Sequence, residues 1–295
     1  MFFTVTPGWQ ALGQAVLADV AAPERVALVM VQATDAGPVG FGQRGMDPIY
    51  PCSLVKAFHL VHALSAVEEG RVAPHGELDR AMRDMIRWSS NTATNYVIDL
   101  ITGTTGDTLL DGAEYLDWVS KRERLNRLFW RMGWPEWDGC RIAQKLMDDT
   151  RYGREARFAG AEGENLNRLT PLAAARLMWE LFEGDLPMSA PVRGRAQAIL
   201  SRDPDGPDAG DPNYQISEYL GGDLPGDVQI WSKAGHNLWT GDARTSWFKH
   251  DMIRIAAPGH KPLIVVAMTE GEDLARDANF LPRLGRDVWD RARSL

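Results

Sequence analysis

The sequence predicts an α+β fold in which one antiparallel sheet joins the two ends of the chain and an all-helical lobe is inserted between its strands. Three observations predict it. Strand-like runs fall into two separated groups, 25–32 and 39–43 near the start and 228–232, 252–256 and 263–268 near the end. The long stretch between the groups carries apolar residues at helical spacing through most of its length. A helical pattern opens the chain and another closes it. The strand signals sum to a sheet of about five strands with the terminal helices packed on it. Residues 1–50 and 226–295 would then form an α/β lobe and residues 51–225 a mainly helical lobe, a single discontinuous unit.

Taken in order, residues 8 to 20 show apolar positions at helical spacing, stopped by Ala21-Ala22-Pro23. Arg25 to Gln32 is almost continuously apolar and rich in β-branched residues. Val39 to Gln43 follows an Asp-Ala-Gly-Pro turn, so the two read as an antiparallel hairpin. From Ser53 to Glu69 the residues Leu54, Val55, Phe58, Leu60, Val61, Leu64 and Val67 leave almost no polar face, which marks a helix buried nearly all round. His59 and His62 on it read as core histidines bonded to backbone. Two more helices occupy residues 78 to 101. The pattern from Asp111 to Asp149 is again helical, with Trp130, Trp134 and Trp137 as core packing or as an aromatic wall of a pocket. Arg151 to Gly163 reads as a loop, and Thr170-Pro171 as the N-cap and first turn of a helix reaching Phe182. Residues 201 to 226 are turn-rich, and a last helix runs from about Leu274 to Arg293.

Composition narrows the function. Hydrophobic residues make up 44% and charged residues 24%, ordinary for a globular protein. A net charge of −8 argues against a nucleic-acid partner, which asks for a basic face. No apolar run approaches the ~18 residues of a membrane span, and the N-terminus lacks a signal-peptide pattern, so a cytoplasmic protein is expected. Its two cysteines, Cys52 and Cys140, are expected as free thiols.

The chemistry is concentrated in Tyr50-Pro51-Cys52-Ser53-Leu54-Val55-Lys56. A hydroxyl and an amine three residues apart at a helix start lie on one face, with Cβ atoms roughly 5–6 Å apart. Burial keeps such an amine neutral, and a neutral amine can take the serine's proton, so Ser53 and Lys56 make a complete nucleophile and base. Two further stretches stand in order behind them: Ser89-Ser90-Asn91 at the junction of two helices, and Lys233-Ala234-Gly235-His236 at the end of a strand-like run. At such a junction Ser and Asn oxygens also serve as helix caps.

Together these stretches resemble the serine β-lactamase and penicillin-binding-protein superfamily, specifically its class A β-lactamase branch, whose signature is S-x-x-K, S-D-N and K-T-G. This chain departs at the middle position of the second and third motifs, Ser90 and Ala234. The resemblance runs from about Val26 to the last helix and implies the β-lactamase-like form of the α+β fold. It also implies roles: Ser53 as nucleophile, Lys56 as base, Ser89 as proton relay to the leaving nitrogen, and Asn91 as holder of the substrate amide. The N–H groups of Ser53 and His236 would form the oxyanion hole, Gly235 would be among the substrate-binding residues, and Lys233 would orient Ser89 and attract a substrate carboxylate. The family's deacylating glutamate is missing at its spacing, where Gly163 stands between Glu162 and Glu164; these two either substitute by a shift of register or are solvated loop carboxylates. No metal or organic cofactor is called for, and a small-molecule substrate is the only partner expected. The implied activity is a serine hydrolase acting on an amide, lactam or ester. An intracellular amidase of the serine glutaminase type and a non-catalytic penicillin-binding sensor stand as alternatives.

Overall fold

A computed structural model describes residues 1–148 and 150–295. The chain opens with α1 (Pro7–Ala18), followed by the hairpin β1 (Val26–Gln32) and β2 (Val39–Gln43). The helical insertion follows: α2 (Val55–Glu68), α3 (Gly76–Arg87), α4 (Asn91–Thr102), α5 (Gly112–Arg122), α6 (Arg124–Trp130), α7 (Gly153–Ala159), α8 (Pro171–Phe182) and α9 (Ala190–Leu200). The chain then returns as β3 (Ser201–Arg202), β4 (Gln229–Asn237), β5 (Phe248–Ala256), β6 (Leu263–Glu270), α10 (Glu272–Arg276) and α11 (Phe280–Ala292). All strand pairings are antiparallel, in the order β2-β1-β6-β5-β4-β3.

The sheet therefore has six strands rather than about five. The additional one, β3, is only two residues long and pairs with β4 at the edge, too short to leave a period-two signature. Strand β4 runs five residues past the expected end at Ser232 and carries Lys233, Ala234, Gly235 and His236 inside the ladder.

One sheet face meets the helical lobe. Val29 and Val31 of β1 with Val266 and Met268 of β6 join a core containing Phe58, Leu60, Met82, Val97 and Leu177. The opposite face, including Leu28, Met30, Ile253 and Val265, packs under Val16 of α1 and Val288 and Trp289 of α11. Alternate residues of one strand thus serve two cores, which is why β1 reads as a continuous apolar run.

Helix α2 is buried from Val55 to Ala66, as its sequence predicts. His59 Nε2 bonds the Ile142 carbonyl at 2.8 Å and His62 Nε2 the Arg124 carbonyl at 3.3 Å. Burial lowers His59 to about 3 and His62 to about 4, so both are neutral links to the backbone beside α2. Trp137 is buried against Phe58 and Phe129, whereas Trp130 is largely exposed; the tryptophan group is core and surface, not a pocket wall.

Two expectations are corrected between residues 111 and 163, and a third near the C-terminus. The helical pattern ends at Trp130, and after a short turn at Pro135–Trp137 the chain runs extended, bridging Arg141 to Arg168. The segment expected to be a loop contains α7, whose Glu155 takes both guanidinium nitrogens of Arg122, at 2.6 and 3.0 Å, in a fully buried pair. Lys145 bonds Asp99 of α4 at 2.9 Å and stands 3.9 Å from Glu155. This charge cluster, invisible to local periodicity, fixes residues 143–148 against α4. Gln144 and Asn167 reinforce it with reciprocal amide bonds of 3.0 Å. The closing helix is also divided, α10 and α11 being separated by Asp277 to Asn279.

Glu155→Gln leaves the Arg122 cation buried without its counter-charge, and the expected cost is about 3–5 kcal/mol. Denaturant unfolding of the variant beside the wild type measures it; a loss under about 1 kcal/mol would show that the pair is not a structural anchor.

Candidate active site

Ser53 lies in a single 3₁₀ turn, Cys52–Leu54, at the entrance to α2. Cys52 holds φ at 48°, a left-handed conformation that a non-glycine residue rarely adopts, and so turns the chain sharply just before the serine. The turn is held from behind. Thr269 N–H donates to His250 Nδ1 at 3.0 Å, so the other ring nitrogen carries the hydrogen and donates to the Tyr50 carbonyl at 2.9 Å. In front, β4 presses on it: a Cβ on Gly235 would stand 2.7 Å from Ser53 N and 2.9 Å from Cys52 Cβ. Only glycine permits that approach of β4 to the Ser53 backbone. The His236 ring is turned away, its Nε2 3.0 Å from the Ala275 carbonyl.

Lys56, one helical turn after Ser53, has no exposed side-chain surface. Its Nζ donates to Asn91 Oδ1 at 2.7 Å, to Ser89 Oγ at 3.2 Å and to the Ser89 carbonyl. Burial lowers its pKa to about 7, against the opposing pull of Asp148 and Cys52. Ser89, itself at a positive φ of 52°, places Oγ between two amines, 3.2 Å from Lys56 Nζ and 3.1 Å from Lys233 Nζ. Burial, then the Lys56 and Arg202 cations, push the Lys233 amine well below its usual range despite Asp251.

The cap of α4 is Ser90, whose Oγ accepts from Ala93 N–H at 3.1 Å. That leaves Ser89 and Asn91 free for the site, and answers why a serine suffices where the family has aspartate: it braces the loop by capping. Asn91 links the two sides of the site, Oδ1 accepting from Lys56 and Nδ2 donating to Asp148 Oδ1.

Asp148 is the carboxylate that the sequence did not point to. It lies five residues before α7 begins, in the segment held by Lys145 and Asp99, and reaches the site through Asn91. Glu162 and Glu164 are exposed and line no part of the cleft; Arg244 beside them donates to the Ala161 carbonyl. No local signal distinguishes Asp148 from its neighbours; the nearest hint is that Asn91, Asn95 and Asp99 recur at four-residue spacing on α4, and each bonds the 145–148 segment.

These groups open onto a cleft of about 860 Å³ whose walls include Ser53, Ser89, Asn91, Asp148, Gln215 and His236, with Tyr50, Trp88 and Trp239 as its aromatic residues. Among the described residues no group of three or more His, Cys, Asp or Glu is placed to hold a metal ion, and no helix is long and apolar enough to cross a membrane. Cys52 is buried and its thiol is pushed far up by burial, which leaves Ser53 as the nucleophile of this turn.

A six-stranded antiparallel sheet between helices, with Lys56 and Lys233 converging on Ser89 beside β4, is the arrangement of the serine β-lactamase and penicillin-binding-protein superfamily. The model of the β-lactamase enzyme family matches residues 74–292, and the chain belongs to that family. The matched region begins after Ser53 and Lys56. Solved structures give the same fold. PBP-A is similar at a TM-score of 0.66 and 18% identity, over 99% of this chain and 98% of that one. A β-lactamase from Xanthomonas campestris is similar at 0.64 and 19%, over 98% of both chains. A PBP-A variant solved as an acyl-enzyme complex with penicillin G gives 0.64 and 18%, over 97% of both. No curated protein matches the sequence.

Two outcomes are expected. With the Lys56 pKa lowered to about 7, the rate of covalent labelling of Ser53 should rise with pH through that value as the neutral base accumulates; stopped-flow labelling from pH 5 to 9 reads it, and a flat profile contradicts it. Gly235→Ala should slow labelling about a hundredfold, the scale of a small misplacement of reacting groups. Melting curves on the same samples separate this from unfolding.

Proposed function

We propose that the protein is a serine acyl hydrolase that opens an amide, lactam or ester bond through an ester on Ser53. Ser53 Oγ attacks the carbonyl carbon and passes its proton to Lys56 Nζ. The developing oxyanion lies at the N–H groups of Ser53 and His236. The carbon–nitrogen bond then breaks as Ser89 Oγ–H gives its proton to the leaving nitrogen, and Lys56 returns the proton to Ser89. The observation that carries this reading is the position of Ser89 Oγ, bonded to both buried amines at 3.1 and 3.2 Å. A hydroxyl so held is poised to hand on a proton.

Release needs a water activated from another side, and Asp148 supplies the carboxylate for it. Water gives a proton to Asp148 as it attacks the acyl carbon, and Asp148 hands that proton to Ser53 Oγ as the bond between Ser53 and the acyl group breaks. The Asp148–Asn91–Lys56 chain of hydrogen bonds favours turnover over permanent trapping, and so favours a hydrolase over a sensor. It also replaces Glu162 and Glu164, which lie outside the cleft.

Incubation with a fluorescent penicillin or an activated aryl ester, followed by mass spectrometry, tests the reading. An adduct on Ser53 is expected in the wild type and none in Ser53→Ala; labelling elsewhere overturns it. Asp148→Asn should keep the acylation burst and lower the steady rate about a hundredfold, within the range for loss of a general base. If instead Glu162→Gln or Glu164→Gln lowers the steady rate and Asp148→Asn does not, Asp148 is not the base.

A further inference from the structure

We infer that this site accepts substrates whose leaving side is uncharged, carrying a carboxamide or hydroxyl where related chemistry would present a carboxylate, and that Gln215 is the residue that enforces the choice. The inference rests on the proposed hydrolase reading and deepens it. It begins with what Lys233 has left to give. An amino group offers three donors at most. Lys233 Nζ has three acceptors already: Ser89 Oγ at 3.1 Å, Gln215 Oε1 at 2.7 Å and its neighbour's carbonyl, that of Ala234. Its side chain has 0% exposure, and it forms no part of the cleft wall.

The surface above it belongs to Gln215. This residue follows the short turn Pro212–Tyr214 and is set at φ 57°, a left-handed conformation that brings its amide over the lysine. The buried Tyr219 phenol stands close to the same side chain. A carboxylate entering here would have to displace a made hydrogen bond to reach the amine, and its own desolvation would go uncompensated. The rest of the wall does not help an anion. Among the described residues lining the cleft, Arg151 is the one side chain with a fixed positive charge, against the carboxylates Asp148 and Asp242. A neutral group, by contrast, meets the amides of Gln215, Asn213 and Asn237 in the wall. Ala234, at the middle of the third motif, adds no hydroxyl that would bind a carboxylate in the lysine's place.

The test uses two ester substrates identical except at the far end of the leaving alcohol, hippuryl glycolate with a free carboxylate and hippuryl glycolamide with a carboxamide. The wild type should favour the carboxamide in kcat/KM by about tenfold or more, the scale set by leaving buried polar groups unpaired. Gln215→Ala frees one Lys233 donor and opens it to the cleft, and the ratio should move about tenfold or more toward the carboxylate. Gln215→Glu, which seats a permanent carboxylate on the lysine, should keep or sharpen the preference for the carboxamide. Ratios are insensitive to a partly inactive preparation, so a folding defect does not imitate the result. A wild-type preference for the carboxylate, or a ratio unmoved in both variants, overturns the inference while a Ser53 adduct leaves the hydrolase reading standing. No hydrolysis of either ester and no adduct overturns both.

Discussion

Two amines share one serine hydroxyl out of contact with bulk water, and most of the molecule is arranged to keep them there. A lysine in water is charged and cannot take a proton; Lys56 can, because α2 is buried on every side and desolvation favours its neutral form. Lys233 is held just as deep by β4, where it stands opposite Met252 of β5 in the ladder. The Lys56 cation adds to burial in keeping Lys233 neutral. The arrangement needs two separately folded supports, a helix from the insertion and a strand from the sheet, because no single element carries both amines to the same hydroxyl from opposite sides.

The supports are themselves restrained near the site. Asp251 stands opposite Ala234 in the ladder, fully buried, accepting the Leu220 N–H, and burial pushes its carboxyl up to about 7. Arg202 reaches in from β3 to the carbonyls of Ile86 and Ser232 at 2.8 and 3.3 Å, and burial lowers its pKa to about 10. The edge strand is short, but through Arg202 it ties the end of α3, just before Ser89, to the strand that carries Lys233. Sheet and helical lobe are thereby joined at the serine both lysines use.

Much of this was legible in the sequence because it is written locally. Ser53 and Lys56 are one helical turn apart, the apolar run of α2 announces its burial, and Thr170-Pro171 announces the start of α8, where Thr170 Oγ1 accepts the Ala173 N–H at 3.0 Å. The strands of the sheet appear as apolar runs because both of its faces are covered. What was not legible depends on partners far away in the chain. Helix α7 is short and polar in pattern, and is anchored by a bond from Arg122 to Glu155, thirty-three residues on. Asp148 is one acidic residue among several until Asp99 and Lys145 set the segment that carries it. Gln215 reads as an ordinary turn residue until its backbone enters the left-handed region above Lys233. Glu162 and Glu164 drew attention through spacing to a neighbouring motif, and spacing across a loop does not say which way the loop turns.

The histidine behind the nucleophile turn carries a consequence of its own. His250 is bonded at both ring nitrogens, accepting from Thr269 N–H and donating to the Tyr50 carbonyl, and burial lowers its pKa to about 4. An unfolded chain binds a proton on this residue below about 6.5, whereas the folded chain resists until about 4, so the fold loses stability as the pH falls through that interval. The proton that finally enters must take Nδ1, the atom that receives the Thr269 N–H. Acid thus meets the protein twice and in different ways. Near neutrality it silences Lys56 and leaves the architecture intact, a loss undone by raising the pH. Further down it attacks the wedge between β5, β6 and the turn bearing Ser53, and there the loss is one of structure.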